Sequence, residues 1–163
     1  MIDFDIIIIS AMNPNSPYSL VDSKVGTIKT NGDVTVVFGS AVNAGNNYYI
    51  KINHRNSIET WSAAPVQLNV NANYLFSSAI AQAFNSNQAL TNDNTYAALF
   101  SGDINQDGAI DGTDFLDFDG PNQAGAGGYH VADLNGDGAV DGSDFLIFDP
   151  NNQNGVGSSV PIP

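Results

Sequence analysis

The chain has 163 residues and no cysteine, and its 17 acidic residues face four basic ones, for a formal net charge of −13. Without cysteine, neither disulfide bonds nor thiol chemistry contribute. The acidic charge argues against nucleic acids and anionic membranes as partners, because both repel such a surface.

Residues 1–95 are predicted to form a β-domain. Apolar alternation between turn residues indicates five strands, at 4–9, 20–28, 34–38, 48–52 and 66–70. The dipeptide Asn31-Gly32 indicates a hairpin. Strands at this spacing predict an antiparallel sandwich of the immunoglobulin or transthyretin-like kind. A short helix is expected at 77–84, where the apolar residues share one face.

The first predicted strand is apolar on both faces, since residues 6–9 are consecutive isoleucines. Such a strand is either buried within its own sheet or lent to a neighbouring molecule. The sequence leaves both alternatives open.

His54, Arg55 and Glu59 are the residues of this domain that most invite a catalytic interpretation. The same stretch lacks a second acid or a nucleophile, and the chain contains no Gly-x-Ser-x-Gly, phosphate-loop or His-Glu-x-x-His motif. We therefore predict that the protein is not an enzyme. The expected role is structural, with Arg55 pairing with Glu59 and Trp61 filling the sandwich. His130 is predicted to be a loop residue.

A twelve-residue pattern occurs twice, at 103–114 and 133–144. Both copies have Asp or Asn at loop positions 1, 3, 5, 9 and 12, glycine at position 6 and an apolar residue at position 8. Oxygen ligands at this spacing are what calcium requires of a short EF-hand-type loop, whereas magnesium demands a smaller octahedral shell. Two calcium ions are therefore predicted, with position 7 supplying a main-chain carbonyl. The predicted ligands are Asp103, Asn105, Asp107, Ala109, Asp111, Asp114, Asp133, Asn135, Asp137, Ala139, Asp141 and Asp144.

The string Asp-x-Asn-x-Asp-Gly-x-apolar-Asp-x-Ser/Thr-Asp-Phe-Leu, found in both halves of 103–149, resembles the dockerin repeat family of calcium-binding modules. That resemblance implies loops that each feed a helix of about three turns, two units packed antiparallel, and docking onto a receptor domain of another protein. The segment 48–62 resembles a β-domain that often precedes such repeats in large secreted bacterial surface proteins.

The module is expected to span 96–163 and to end in an extended tail. Gly120-Pro121 and Asp149-Pro150 are predicted to stop its helices after about two turns. The two units should pack on each other by burying the apolar side chains of both helices, which are Phe115, Leu116, Phe118, Phe145, Leu146 and Phe148.

Three functions remain open at this stage. The first is an extracellular structural protein that assembles with copies of itself into a filament or surface layer by exchanging a terminal segment. The second is a dockerin-like module that anchors a secreted protein to a receptor domain, and the third is a calcium-dependent carbohydrate-binding module. A secreted or cell-surface location is expected, because low-affinity calcium sites work where calcium is about millimolar. No apolar run approaches a membrane span, and the first residues lack the basic start of a secretory signal, which indicates a removed signal or a fragment of a larger protein.

Overall fold

The computed structural model describes residues 4–162, and the fold is mainly antiparallel β with two helices. The expected antiparallel β architecture is confirmed. The strands are β1 (Phe4–Met12), β2 (Leu20–Lys29), β3 (Asn47–His54), β4 (Ser57–Trp61), β5 (Val66–Gln67), β6 (Ala89–Leu90) and β7 (Ala97–Ala98). The helices are α1 (Gly112–Ala124) and α2 (Gly142–Gln153).

The main sheet has the order β2-β1-β3-β4, with β5 added to the start of β3 and β6–β7 forming a separate pair. β1 lies in the middle, where Ile7 faces Gly26 on one side and His54 on the other. Both edges of the isoleucine strand are therefore paired within its own chain. Of the two alternatives left open for this strand, the structure shows that it completes its own sheet.

The inner face of this sheet carries the core of the β-domain, built on Ile7, Ile9, Ile50 and Ile52. It is covered by segments that pack on the sheet but join no ladder, chiefly 34–38, together with half-buried Tyr74 and Phe76 and buried Leu68. The sandwich thus has one regular sheet and a second layer made largely of irregular segments.

The predicted strand 34–38 is wrong as a paired strand. Its side chains lie on the sheet face above Gly26, where an added Cβ would stand 2.5 Å from Val34 Cγ2. Side-chain burial on this face replaces pairing with a strand edge. The predicted strand 66–70 is shortened to β5, because Val70 and Asn71 form a turn in which Asn71 has φ 62°.

Tertiary contacts also replace the helix expected at 77–84. Three separate 3-10 turns occur instead, at Phe76–Ser78, Ile80–Gln82 and Phe84–Ser86. Ala79 and Ala83 between them are extended, and Ala83 forms a β-bridge with Ser62 while Ala63 N–H donates to Gln82 C=O. Pairing with the end of β4, a strand that the sequence analysis missed, outweighs the local helical pattern.

The two helices are longer than expected, with 13 and 12 residues. Pro121 and Pro150 lie inside them rather than beyond their ends. Each proline falls in the last turn, where the loss of one N–H costs little of the backbone hydrogen bonding. Among residues 4–162, neither helix has the length and apolar content needed to cross a bilayer.

Phe118 and Phe148, at equivalent positions of the two repeats, are completely buried, and their rings stack with centroids 6.0 Å apart. Phe145 is partly buried beside them. The expectation that Leu116 and Leu146 are buried is wrong, since 74% and 75% of these residues is exposed, and Phe115 is also exposed at 37%. Leu116 lies about 200° around the helix from Phe118, so both cannot face the core.

Candidate metal centres

Each calcium-type loop is closed by the aspartate at position 12. Asp114 is fully buried, and its Oδ1 accepts the N–H groups of Ile104 (2.7 Å) and Asn105 (3.0 Å), while Oδ2 accepts that of Asp111 (3.0 Å). Asp111 in turn caps α1 by accepting the Thr113 N–H at 2.7 Å. The acidic pair therefore connects the start of the loop to the start of the helix.

The second loop repeats this arrangement. Asp144 accepts the N–H groups of Leu134 (2.8 Å) and Asn135 (3.0 Å) through Oδ1, and that of Asp141 (2.9 Å) through Oδ2. Asp141 caps α2 through the Ser143 N–H at 2.7 Å. Two twelve-residue segments that share a pattern thus share a hydrogen-bonding scheme.

The remaining predicted side chains of the first loop bond to one another. Asp107 N–H donates to Asn105 Oδ1 (2.8 Å), Asn105 Nδ2 donates to Asp107 Oδ2 (3.1 Å), and Ala109 N–H donates to Asp107 Oδ1 (3.0 Å). Asn135, Asp137 and Ala139 make the same bonds in the second loop. The structure therefore gathers the predicted ligands around each loop.

These carboxylates face main-chain N–H groups rather than a common point. Within residues 4–162, no three acidic or histidine side chains are grouped so as to hold a metal ion. The physical reason is visible at Asp114, whose two oxygens are both engaged with loop N–H groups. A cation would have to draw these carboxylates away from the N–H groups.

Asp103 is the exception, and it fits a cation. The residue is 2% exposed, and its Oδ1 has no hydrogen-bond partner, whereas Asp133 accepts the N–H groups of Gly136 (2.8 Å) and Gly138 (3.0 Å). Burial, followed by the charges of Asp114 and Asp107, raises the pKa of Asp103 to about 6. A buried carboxylate oxygen without a donor, within a set of hard oxygen groups, matches the chemistry that calcium requires.

A second, unexpected cluster joins the β-sheet to the second loop. Arg55 Nε donates to Asp5 Oδ2 (3.1 Å), and its other nitrogens donate to the C=O groups of His130 and Asp133. The Arg55 guanidinium lies 4.7 Å from the centre of the Tyr129 ring. The predicted Arg55–Glu59 pair is wrong: Glu59 pairs instead with Lys51, at 3.2 Å. Arg55 is drawn away because the linker between the repeats offers it two carbonyl acceptors.

Asp5 is the anion of this cluster. It accepts the Tyr129 hydroxyl at 2.6 Å and lies 3.0 Å from His54 Nε2. Burial alone would raise the pKa of Asp5, but the Tyr129 and Ile6 hydrogen bonds and the charge of His54 outweigh it and lower the pKa to about 2. His54 is thus a partner of Asp5, and His130 lies in a loop as predicted.

Asn56 completes the contact, since its Nδ2 donates to the C=O groups of Val131 (3.0 Å) and Asp133 (3.1 Å). Sequence analysis missed Asp5, Asn56 and Tyr129. Tyr129 and Asp5 are 124 positions apart, and no local motif marks either. Trp61, expected to fill the sandwich, is buried on the other face of the sheet against Tyr49.

No family model matches the chain, and no curated protein matches it. It is similar to a chain in the crystal structure of an N-terminal interface mutant of a type II cohesin–X-dockerin complex from Acetivibrio cellulolyticus. That match has 19% identity and a TM-score of 0.50, and covers 93% of this chain and 82% of that one. A C-terminal interface mutant of the same type of complex matches at 18% identity with a TM-score of 0.50, covering 96% and 85%. The mainly antiparallel β fold is therefore shared with a component of such complexes.

Proposed function

We propose that this chain is a calcium-dependent protein-docking module. The observation that carries the proposal is the pair of exposed leucines, Leu116 and Leu146, at equivalent positions of the two repeats. A large apolar side chain that is three-quarters exposed, and that recurs at the same place in a duplicated unit, is typical of a surface that meets a partner.

Calcium is the proposed cofactor, at two sites. The ligands would be the twelve residues predicted from the repeats, with the orphaned Asp103 oxygen as the strongest local support. Bound calcium supplies positive charge at the centre of each loop. The chain's own contribution is to hold Asp111 and Asp141 at the helix starts, so that filling the loops fixes the directions of α1 and α2.

The partner that we propose is a receptor domain of the cohesin kind. The similar structures are complexes of type II cohesin with X-dockerin, and this chain shares their fold. Leu116 and Leu146, with Phe115 beside the first, provide an apolar surface on two antiparallel units for such a domain. The role belongs outside the cell, where calcium is abundant enough for loops of this type.

The observed termini favour docking over self-assembly. β1 is paired on both edges, and residues near the C-terminus pack on their own first loop, where Ser158 N–H donates to Gly108 C=O at 2.7 Å. Asn87 Nδ2 also donates to Gly157 C=O at 3.1 Å. Each of these segments is engaged within its own chain and would have to leave its contacts to bridge two molecules.

Binding to a panel of type II cohesin domains tests the proposal. Surface plasmon resonance should detect binding to at least one domain in millimolar calcium and none after chelation. Leu116→Asp combined with Leu146→Asp should weaken binding at least a hundredfold, because burying two unpaired carboxylates costs several kcal/mol. Leu75→Asp, at another exposed leucine, is the matched control and should bind normally. Absence of binding throughout the panel would contradict the proposal.

A further inference from the structure

An apolar groove of about 760 Å³ lies in the second layer of the β-domain, remote from the calcium loops. One wall is the segment 34–38, and the other is the segment 68–74. Ile9, Ile50 and Ile52 of the main sheet form its floor. No charged side chain lines it, although the whole chain carries −13.

The wall 34–38 behaves as a strand that has no neighbour. Val34, Val36 and Phe38 are half-buried against the sheet, while Thr35 and Val37 are exposed, which is the alternation of an extended chain. All five residues line the groove, so the segment borders it with its main-chain edge rather than with one face. Within residues 4–162, no hydrogen bond joins the main chain of 34–38 to any other segment.

The unpaired main chain decides between kinds of occupant. A hydrocarbon ligand would remove these N–H and C=O groups from water without bonding to them, at a cost for each group. An added strand would pair with them and would bury its own alternate side chains on the isoleucine floor. The groove therefore favours a polypeptide over a lipid.

The size of the groove also fits one strand. Five residues at about 3.3 Å each, with about 4.8 Å to the neighbouring strand and about 10 Å between layers, occupy roughly 800 Å³. A second copy of this chain would bring its own segment 34–38 fastened to a sheet by Val34 and Val36. The opposite wall at 68–74 leaves no room for that sheet.

We propose that this groove is a docking site for an extended, uncharged strand of a partner protein, which adds to the edge of residues 34–38 and completes the second layer of the sandwich. The absence of charge from the lining sets the polarity of the segment that it accepts. This site lies on the β-domain and does not depend on calcium or on the helices, so it is separate from the docking function proposed above.

The test uses the intact protein and a fluorescein-labelled octapeptide that alternates threonine and valine, with an amidated end. Fluorescence anisotropy should show saturable binding, and amide exchange of 34–38 should slow in the complex. Two further peptides carry N-methyl groups on every threonine or on every valine. Because alternate N–H groups point to opposite edges of a strand, one methylated peptide should lose at least tenfold in affinity while the other keeps it.

The variant Ala72→Trp places a large side chain on the exposed rim and should abolish binding, with Asn73→Trp as the second variant if the first does not fold. Thermal unfolding monitors the fold of both. The proposal is overturned if the parent peptide does not bind, or if both methylated peptides bind as well as the parent. It is also overturned if the protein sediments as a dimer that dissociates in Ala72→Trp, since the occupant would then be a second copy.

Discussion

Asp5 illustrates how much one side chain contributes at the contact between the β-domain and the repeats. Its carboxylate receives Tyr129 from the linker between the loops and His54 and Arg55 from the turn after β3. Three donors from two distant parts of the chain converge on one anion, so its ionised form is stabilised only in the folded protein.

The pH dependence of stability should report this residue. The pKa of Asp5 is lowered from 3.8 to about 2, so the folded state favours the ionised form. Its contribution is present above about pH 4 and is lost as the pH falls from about 4 to about 2. We expect Asp5→Asn to lower the free energy of unfolding by about 1 kcal/mol at pH 7, a value reduced for partial solvent exposure, and by much less at pH 2.

Urea denaturation at the two pH values measures this difference, with the exposed Asp117→Asn as the control. An equal loss at pH 2 and pH 7 would show that Asp5 acts through packing rather than through its charge.

The sequence identified the residues of the candidate site better than their contacts. Loop position, glycine and the alternation of oxygen groups placed all twelve predicted ligands around two equivalent loops. The inequality between Asp103 and Asp133 was not predictable from the pattern. It arises because Gln106 occupies the position of Gly136, and its side chain donates to Asp103 C=O at 2.5 Å.

At the scale of elements, α1 and α2 are held by the ring stack of Phe118 and Phe148. Phe118→Ala or Phe148→Ala should each cost about 3 to 5 kcal/mol, because each removes a completely buried ring and leaves a cavity. Leu116→Ala should change stability by less than about 0.5 kcal/mol, since this side chain is exposed. Chemical denaturation monitored by circular dichroism measures all three, and similar losses for Phe118→Ala and Leu116→Ala would refute the assigned core.

The elements show where local pattern suffices. β1, β2 and β3 were predictable because their alternation coincides with burial on one face of the sheet. Segment 34–38 has the same alternation, but it packs on the sheet face above Gly26, a long-range choice that no local signal records. Pro121 and Pro150 misled the helix prediction, since a proline in the last turn is compatible with continued helix when Phe118 and Phe148 are buried one turn earlier.

For the whole molecule, Arg55 connects the sheet to the second loop through Asp5 and through the carbonyl of Asp133. Removing Arg55 leaves Asp5 and two carbonyls short of a donor. Arg55→Ala should therefore lower stability by about 2 to 3 kcal/mol and weaken calcium binding at the second loop more than at the first.

Calorimetric calcium titrations of Arg55→Ala and of the exposed Lys29→Ala, which keeps these contacts intact, provide the comparison. Equal affinities at both loops in the Arg55 variant would show that the sheet and the second loop are not coupled.

The charge of the whole molecule is concentrated where calcium is proposed to bind, since 11 of the 17 acidic residues are aspartates between 103 and 149. At a free concentration one hundred times its dissociation constant, each bound ion adds about 2.7 kcal/mol of stability. Calcium removal should therefore lower the unfolding temperature markedly, and the helices that carry Leu116 and Leu146 should lose their fixed directions.

Isothermal titration calorimetry of the intact protein with calcium tests this account most directly. We expect two ions to bind, with one site lost in Asp103→Ala, the other lost in Asp133→Ala, and none remaining in the double variant. A wild-type protein that takes up no calcium, and whose unfolding temperature is the same in millimolar calcium and in chelator, would contradict it.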